Sequence, residues 1–228
     1  MKKTLSIILT LSTLIIILFS ACASKEKPVR VRDENFVADV PYFKVGVLHL
    51  YSSFSLNKQK VNDFEVSFYP RSNYLYIKGR IGADIVDIGF SYNERKSLAQ
   101  AKDAYLEAFK QGKLKKEKPT KKNAFSTGTA RFFWGTFGAN NETVARYYTN
   151  VQYILDDKPY FRILFEQTKE LEDPDKTSPR INIYISPAQW EQIVEMCNQE
   201  TLEAQTDAIV LQADAFEVNK TSSEPEMF

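Results

Sequence analysis

The chain has 228 residues, and its 30 lysines and arginines nearly balance 29 acidic residues, which gives a formal net charge of +1. A near-neutral chain without a basic stripe does not suit nucleic-acid binding, which needs a clustered positive surface. Hydrophobic residues make up 43% of the chain, which is enough for the packed core of one domain.

The beginning of the chain has the three parts of an export signal. A positive head of two lysines precedes an apolar run that ends at Phe19, and two small residues separate Phe19 from Cys22. The run is shorter than the roughly 20 apolar residues that a membrane-spanning helix needs. The pattern therefore predicts a signal peptide over residues 1–21, which the mature protein lacks.

The run Phe19-Ser20-Ala21-Cys22 resembles the lipobox of bacterial lipoproteins. The resemblance implies that Cys22 becomes the first mature residue, with a diacylglyceryl group on its sulfur and an acyl chain such as palmitate on its amino group. Two or three acyl chains hold a protein firmly on a membrane, at about 0.8 kcal/mol per buried methylene. The resemblance also implies a cell-envelope location. This is the outer membrane if the host has two membranes, since Ala23 and Ser24 carry no acidic retention signal.

The rest of the chain is predicted to contain one domain with a flexible segment at each side. Residues 22–41 have alternating charges and few large apolar side chains, which predicts a tether between the lipid and the body. Residues 42–217 form the domain, and residues 218–228 are predicted to be a disordered tail. If Cys22 is lipidated, Cys197 has no second cysteine to pair with, so the body contains no disulfide.

Strands are predicted wherever apolar residues alternate with polar ones, because this is the period of a half-buried strand. Four such segments precede a helix and a lysine-rich loop, and four more follow. Short connections between the segments favour antiparallel pairing. The predicted strands are 45–51, 63–68, 74–78, 86–90, 125–137, 144–155, 160–165 and 181–185.

Two helices are predicted, one after each group of four strands. The first has Asn93 as its cap and Gly112 at its end. The second begins at Ser186-Pro187-Ala188-Gln189, where a capping serine, a proline and a glutamine that can reach back occur together. Cys197 lies on the apolar face of this helix, which predicts a small buried hydrophobic residue rather than a reactive thiol. Residues 207–217 fit a helix or a strand.

This element order predicts an α+β fold with a mainly antiparallel sheet of about eight strands and two helices. Four strands and a helix occur twice in succession, which is consistent with a duplicated β-β-β-β-α unit. One continuous sheet or a sandwich, with both helices on one side, is the alternative.

Motifs that would identify an enzyme are missing from the sequence. It contains no Gly-x-Ser-x-Gly elbow, phosphate-binding glycine loop, Cys-x-x-Cys pair or His-Glu-x-x-His segment. His49 is the single histidine, and Asp84 and Asp87 are expected on opposite faces of a strand. Residues 173–177 lack the glycine and the closing glutamate of a calcium loop. We therefore expect no enzymatic activity, no cofactor and no metal.

The segment from residue 110 to residue 122 contains seven lysines and one glutamate and is predicted to be an exposed loop. Near a membrane it could contact anionic head groups, at up to about 1 kcal/mol per lysine. It could equally serve as a solubilising loop. The candidate contacts are Lys113, Lys115, Lys116, Lys118, Lys121 and Lys122.

These observations predict a lipid-anchored, non-enzymatic binding or scaffolding module of the cell envelope. Its predicted partners are the membrane, through acylated Cys22, and an envelope protein or glycan. Exposed aromatic rows that include Tyr74, Tyr76, Tyr160 and Tyr184 would suit such a contact, unless both faces of the sheet are buried. One alternative is a carrier of a small apolar ligand or lipid, which requires a sizeable apolar cavity. Another is an envelope enzyme with an unrecognised site of carboxylates and tyrosines.

Overall fold

The computed structural model describes residues 33–54 and 59–222, with side chains described as far as Ala213. The predicted signal peptide, Cys22 and the first part of the tether lie outside the described residues. Within the described part, eight antiparallel strands form a closed barrel. The strands are β1 (Phe43–Phe54), β2 (Lys60–Tyr69), β3 (Tyr74–Ile81), β4 (Asp84–Phe90), β5 (Ser126–Gly135), β6 (Asn141–Ile154), β7 (Lys158–Phe165) and β8 (Ile181–Ile185).

The described part of the chain also contains three α-helices and a short 3-10 turn. They are α1 (Tyr92–Lys110), the 3-10 turn (Lys121–Asn123), α2 (Gln189–Cys197) and α3 (Gln199–Ser222). Sequence analysis predicted two helices, and residues 207–217, which it left open, belong to α3. The predicted tail from residue 218 begins within α3, and residues 223–228 lie outside the described part.

The eight predicted antiparallel strands are confirmed, but the sheet closes on itself. Each strand pairs with its neighbours in the sequence, and β8 returns to pair with β1. The sandwich alternative is therefore wrong, and the barrel was not anticipated. Four strands followed by a helix do occur twice, while a duplicated unit stays a prediction. An eight-stranded barrel has an interior that side chains fill or that holds one small ligand.

Alternate residues of the strands point into the barrel and form its core. Phe64, Phe132, Phe161, Phe165 and Tyr147 are among the fully buried side chains. Burial of each such large apolar side chain stabilises the fold by roughly 1.5–3 kcal/mol. The period of two that predicted the strands is thus the alternation between the interior and the outer surface.

Helices α1 and α2 lie at the same end of the barrel. Neighbouring strands are antiparallel throughout, so the even-numbered strands all run in one direction. β4 precedes α1 and β8 precedes α2, and the turn between β2 and β3 is at this end as well. We call it the helix end. Asn73 in that turn is fully buried and has a φ of 52°, a left-handed conformation that asparagine tolerates.

The junction between β1 and β8 is short. Only residues 51–54 of β1 pair with residues 181–184 of β8, whereas β1 pairs with β2 along most of its length. Helix α2 lies beside the part of β1 that β8 does not reach. There Gln189 Nε2 donates to the backbone oxygen of His49 at 2.8 Å, and Met196 packs against Gly46.

The helix starts differ slightly from those predicted. Ser91 caps α1, since its Oγ accepts from the backbone N–H of Glu94 at 3.3 Å, and Asn93 lies inside the first turn. At the second helix, Gln189 Oε1 accepts from the backbone N–H of Ser186 at 2.9 Å, and Ser186 Oγ accepts from that of Gln189 at 3.4 Å. These reciprocal bonds are the predicted ones, although α2 begins only at Gln189.

Residues 33–40 pack on the barrel, although sequence analysis placed them in the flexible tether. Val37 and Val40 are buried, and the backbone N–H of Val37 donates to the oxygen of Pro70 at 2.8 Å. Arg71 Nε donates to Asp39 Oδ1 at 2.6 Å. The alternating charges of this segment predicted flexibility, but its two valines attach it to the barrel. The described body therefore begins at Asp33.

Candidate functional site

An apolar cavity of about 360 Å³ lies at the helix end, between the barrel interior and helices α1 and α2. Helix residues that face it include Leu98, Trp190, Ile193 and Cys197, together with Arg95. The strands contribute mainly aliphatic side chains. Those from β1, β3 and β8 are Leu48, Leu50, Leu75, Ile77, Ile183 and Ile185.

The distribution of side-chain size explains where the cavity forms. On the β5–β7 side, aromatic rings fill the interior: the ring centres of Phe132 and Tyr147 each lie 5.9 Å from that of Phe165. Trp190 of α2 packs on Phe161 with a centre distance of 5.1 Å. The aliphatic side chains of β1, β3 and β8 are smaller and leave the space open.

Helix α1 presents one face to the cavity and is held to the barrel by a partly buried hydrogen bond. Tyr92, Arg95, Ala99 and Lys102 line the cavity, and their spacing of three or four residues places them on one side of the helix. Further along, the hydroxyl of Tyr105 donates to the backbone oxygen of Pro159 at 2.9 Å. The helix therefore holds its cavity-facing residues in a defined position.

Arg95 carries the cationic group of the cavity that is most firmly placed. Its Nη2 donates to the backbone oxygen and to Oδ1 of Asn73, at 3.1 and 2.7 Å, and to Gln199 Oε1 at 2.8 Å. Its Nη1 is buried and has no hydrogen-bond partner among the described residues. Burial lowers the pKa of Arg95 to about 10, so the group is charged at neutral pH.

The Cys197 thiol also lines the cavity. Burial raises its pKa to about 12, against a smaller opposite effect of the Arg95 charge. A protonated thiol is a weak nucleophile, so its contribution here is apolar contact. Cys197 packs against the core as a half-buried residue, so the predicted packing is confirmed in part and the lack of reactivity stays a prediction.

The lysine-rich segment is exposed, as predicted, and lies away from the cavity lining. Lys116 pairs with Asp157 at 2.7 Å and Lys121 with Glu166 at 3.0 Å. The remaining candidates are exposed and form no ion pair with a described residue. These four are Lys113, Lys115, Lys118 and Lys122.

The backbone of this segment is attached to β6. Asn150 Nδ2 donates to the backbone oxygens of Thr120 and Asn123, at 2.9 and 3.0 Å. The Tyr153 hydroxyl donates to the oxygen of Leu114 at 3.1 Å. The lysines are thus displayed from a fixed backbone, and their contact with anionic head groups stays a prediction.

The other polar residues considered in the sequence do not converge on the cavity. His49 and Asp63 form an exposed pair on the outer surface, with 2.6 Å between Nδ1 and Oδ1. Asp84 accepts a hydrogen bond from Thr136 at 3.0 Å. Among the described residues, no group of three or more His, Cys, Asp or Glu side chains could hold a metal ion.

Several tyrosines pack together on the outer surface of β2–β5. We call Tyr42, Tyr69, Tyr74, Tyr76 and Phe133 the outer tyrosine cluster. The ring centres of Tyr42 and Tyr69 are 4.9 Å apart, and those of Tyr69 and Tyr76 are 4.8 Å apart. Tyr76 lies over Gly89, where a Cβ would collide with its ring. Tyr42 is 61% exposed.

The prediction of exposed aromatic rows is wrong for three of its four residues. Tyr76, Tyr160 and Tyr184 are buried, and Tyr74 is half-buried. The alternative in which both faces are buried therefore holds for these three.

Beside the outer tyrosine cluster, Asp87 Oδ1 is buried without a described hydrogen-bond partner. Burial raises the pKa of Asp87 to about 6, which Lys78 partly opposes and Glu65 reinforces.

The lysines and Cys22 are predicted from the sequence, whereas Arg95 is not. Phe19, Ser20, Ala21 and Cys22 lie outside the described residues. A signal for Arg95 was present: it precedes Leu98 by three positions, which puts a cation on the apolar face of the first predicted helix. The cavity depends on closure of the barrel, which local periodicity does not encode.

No helix in the described ranges has the length and apolar character needed to cross a membrane.

Comparison with known proteins gives one family. The family model described as "Uncharacterised Treponema protein" matches residues 44–204, which span the barrel, α1, α2 and the start of α3. A relative from Treponema pallidum (strain Nichols), described as "Uncharacterized protein", is 26% identical over 188 residues, which cover 82% of this chain and 67% of the relative. No solved structure matches the chain.

Proposed function

We propose that this chain, which belongs to the family described as "Uncharacterised Treponema protein", is a lipid-anchored envelope protein whose barrel binds an apolar ligand. The observation that carries the proposal is the apolar cavity of about 360 Å³ at the helix end. Ligand cavities in proteins commonly measure about 300–1,000 Å³, so this one suits a single acyl chain or a similarly small apolar molecule. The role is binding rather than catalysis.

The lining of the cavity favours an apolar occupant over water. Ordered buried waters need polar partners, and the strand side chains that face the cavity, such as Leu50, Ile77 and Ile183, offer none. An unfilled apolar cavity also lowers stability in proportion to its volume. A bound apolar molecule would recover contacts with these side chains, so ligand binding should raise the melting temperature.

The lipid anchor would hold the cavity near a source of apolar molecules. Acylation of Cys22, which the lipobox resemblance implies, would keep the barrel at a membrane surface. The change Cys22→Ala should then move the protein from the detergent phase to the aqueous phase in a Triton X-114 partition. Unchanged partitioning would overturn the anchor and leave the cavity proposal standing. Contact with an envelope protein or glycan stays a prediction.

A fluorescent displacement assay tests the cavity function. The probe is 1-aminoanthracene, which is uncharged, and hexadecanol is the competitor. The protein carries Cys22→Ser so that its own acyl chains cannot compete. We expect the probe to become fluorescent in the barrel and hexadecanol to displace it. The proposal is wrong if neither molecule binds.

Two variants on adjacent strands show whether binding occurs in this cavity. Ile77 of β3 lines the cavity, and Ile88 of β4 lies directly opposite it but outside the lining. Ile77→Trp should weaken binding about tenfold or more by filling the space, without lowering the melting temperature. Ile88→Val should cost about 0.5–1.5 kcal/mol of stability and leave the affinity of the folded protein unchanged. Equal affinities in Ile77→Trp and the parent protein would place the ligand elsewhere.

A further inference from the structure

The cavity has an apolar interior and a buried guanidinium whose hydrogen bonds are incomplete. Arg95 Nη2 is held by Asn73 and Gln199, while its Nη1, also buried, has no partner among the described residues. A buried donor of a charged group without a partner costs free energy. An acceptor that reaches this atom from the cavity would satisfy it and stabilise the protein.

The charge of Arg95 is also not balanced by direct contact. Its hydrogen-bond acceptors are the backbone oxygen and side-chain amide of Asn73 and the amide of Gln199, all of which are neutral. Glu203 acts on the Arg95 charge through space and is connected to it by Gln199, whose Nε2 donates to Glu203 Oε1 at 2.8 Å. Among the described residues, no ion pair includes Arg95. An anion in the cavity would add a counter-charge in direct contact with the guanidinium.

The geometry of Arg95 suits an anion. The guanidinium carbon lies 5.4 Å from the centre of the Phe68 ring, and its Nη2 contacts fix its orientation. Both N–H bonds of Nη2 are already taken by Asn73 and Gln199, so Nη1 is left to donate a charge-assisted hydrogen bond to a carboxylate or phosphate. Lys96 and Lys102 on the same face of α1 also border the cavity, so positive charge gathers at one side of an apolar space.

We propose that the ligand is an anionic amphiphile, with its apolar chain in the barrel and its carboxylate or phosphate paired with Arg95. This inference rests on the proposed function, because it adds a head group to the apolar ligand. Lys102 is the weaker candidate contact, since its Nζ already pairs with Asp103 at 2.7 Å. Lys96 is exposed and can attract the anion without holding it.

Ligands that differ only in the head group provide the test. Hexadecanoic acid, hexadecyl phosphate and hexadecanol compete for 1-aminoanthracene in the Cys22→Ser protein. We expect the acid or the phosphate to bind about tenfold or more tightly than the alcohol, since a charge-assisted hydrogen bond is roughly twice as strong as one between neutral groups. The stronger of the two anions identifies the head-group class.

Variants of Arg95 then show whether it causes the preference. Arg95→Met should lose the preference for the anion, so that acid or phosphate and alcohol compete equally well in this variant. Arg95→Lys keeps the positive charge but not the planar group, and it should retain part of the preference for the anion. Lys110→Met is the matched control, since Lys110 is an exposed cation of the same helix outside the cavity lining, and it should keep the preference for the anion. If Arg95→Met does not fold, Arg95→Lys and the comparison of the three ligands on the parent protein still test whether Arg95 causes the preference for the anion.

The outcomes separate this inference from the proposed function. If acid, phosphate and alcohol bind the parent protein equally, or if Arg95→Met keeps the anion preference, the head-group inference is overturned and the cavity function survives. If none of the three ligands binds, both are overturned.

Discussion

The hydroxyl of Tyr147 donates to Glu94 Oε2 at 2.6 Å, and this contact joins the first turn of α1 to the inward face of β6. The same carboxylate accepts from the backbone N–H of Thr129 at 3.3 Å. Burial and the adjacent carboxylate raise the pKa of Tyr147, so its proton stays available as a donor. This contact fixes the end of α1 that carries Arg95.

Tyr147→Phe should lower the free energy of unfolding by about 1–3 kcal/mol, because the Glu94 carboxylate loses a donor in a partly buried position. Urea unfolding followed by tryptophan fluorescence measures this loss. Tyr74→Phe is the matched control, since the Tyr74 hydroxyl has no hydrogen bond with a described residue, and it should change stability by less than about 0.5 kcal/mol. Equal effects of the two changes would contradict this view of the Tyr147 contact.

Gly128→Ala should disturb the hydrogen bond between Tyr147 and Glu94 by steric collision. A Cβ at Gly128 would collide with Glu94 Oε2 and lie 2.6 Å from the Tyr147 hydroxyl oxygen. We expect a loss of about 1–3 kcal/mol in the urea unfolding experiment. Thr127→Ala, at the exposed neighbouring position, is the control. Combined with Glu94→Ala, the Gly128→Ala change should cost less than alone, because the colliding carboxylate is gone; strict additivity would count against the steric explanation.

Asp87→Asn should stabilise the protein above about pH 6. Burial raises the pKa of Asp87 from its ordinary value of 3.8 to about 6, so the folded state binds a proton more tightly than the unfolded state. Ionisation of Asp87 therefore costs stability progressively as the pH rises through about 4 to 6. Asparagine keeps the shape without the charge, and we expect a gain on the order of 1 kcal/mol at neutral pH.

Melting temperatures across this pH range measure the effect. The parent protein should lose more stability than Asp87→Asn between about pH 4 and pH 6, and the two curves should run parallel above that range. Lys78→Gln, which removes the cation that partly opposes the shift, should make the loss of stability of the parent over this range larger. If the parent protein and Asp87→Asn show the same dependence of melting temperature on pH, burial does not raise the pKa of Asp87.

Neutralising the unpaired lysines should weaken attraction to anionic membranes. The change is Lys→Gln at Lys113, Lys115, Lys118 and Lys122 in the Cys22→Ser protein, measured by sedimentation with vesicles that contain phosphatidylglycerol. Each lysine contributes up to about 1 kcal/mol close to such a surface. The matched control is Lys116→Gln with Lys121→Gln, because these two lysines are already paired. If the fourfold variant binds vesicles like its parent, the segment is only a solubilising loop.

Sequence reasoning found the strands because the alternation of Phe64, Val66 and Phe68 with charged residues is a local property. It found the Ser186–Gln189 cap for the same reason. It did not find closure of the barrel, because pairing between Tyr51 and Tyr184 joins segments from opposite ends of the domain. Nothing in either segment distinguishes a closed sheet from an open one.

The cavity also could not be predicted from local sequence patterns. Leu50, Ile77 and Ile183 looked like ordinary core residues in the sequence, and they differ from Phe132 and Phe165 only in size. The space appears because the smaller side chains meet on neighbouring strands once the sheet closes. Arg95 could have been noticed as a cation on an apolar helix face, but the position of its unsatisfied nitrogen depends on Asn73 and Gln199, which are distant in sequence.

The short β1–β8 junction has a consequence for folding kinetics. Seven of the strand pairings join neighbours in the order of the described strands, and most of these can form as local hairpins, although β5 follows β4 only after α1. The eighth pairing brings together residues such as Ser53 and Tyr184, which are 131 positions apart. Pairing β1 with β8 closes a long loop and costs much chain entropy, and the few backbone hydrogen bonds that form there offset only part of this cost. Ring closure should therefore be the late, rate-limiting event, preceded by an open, curled intermediate sheet.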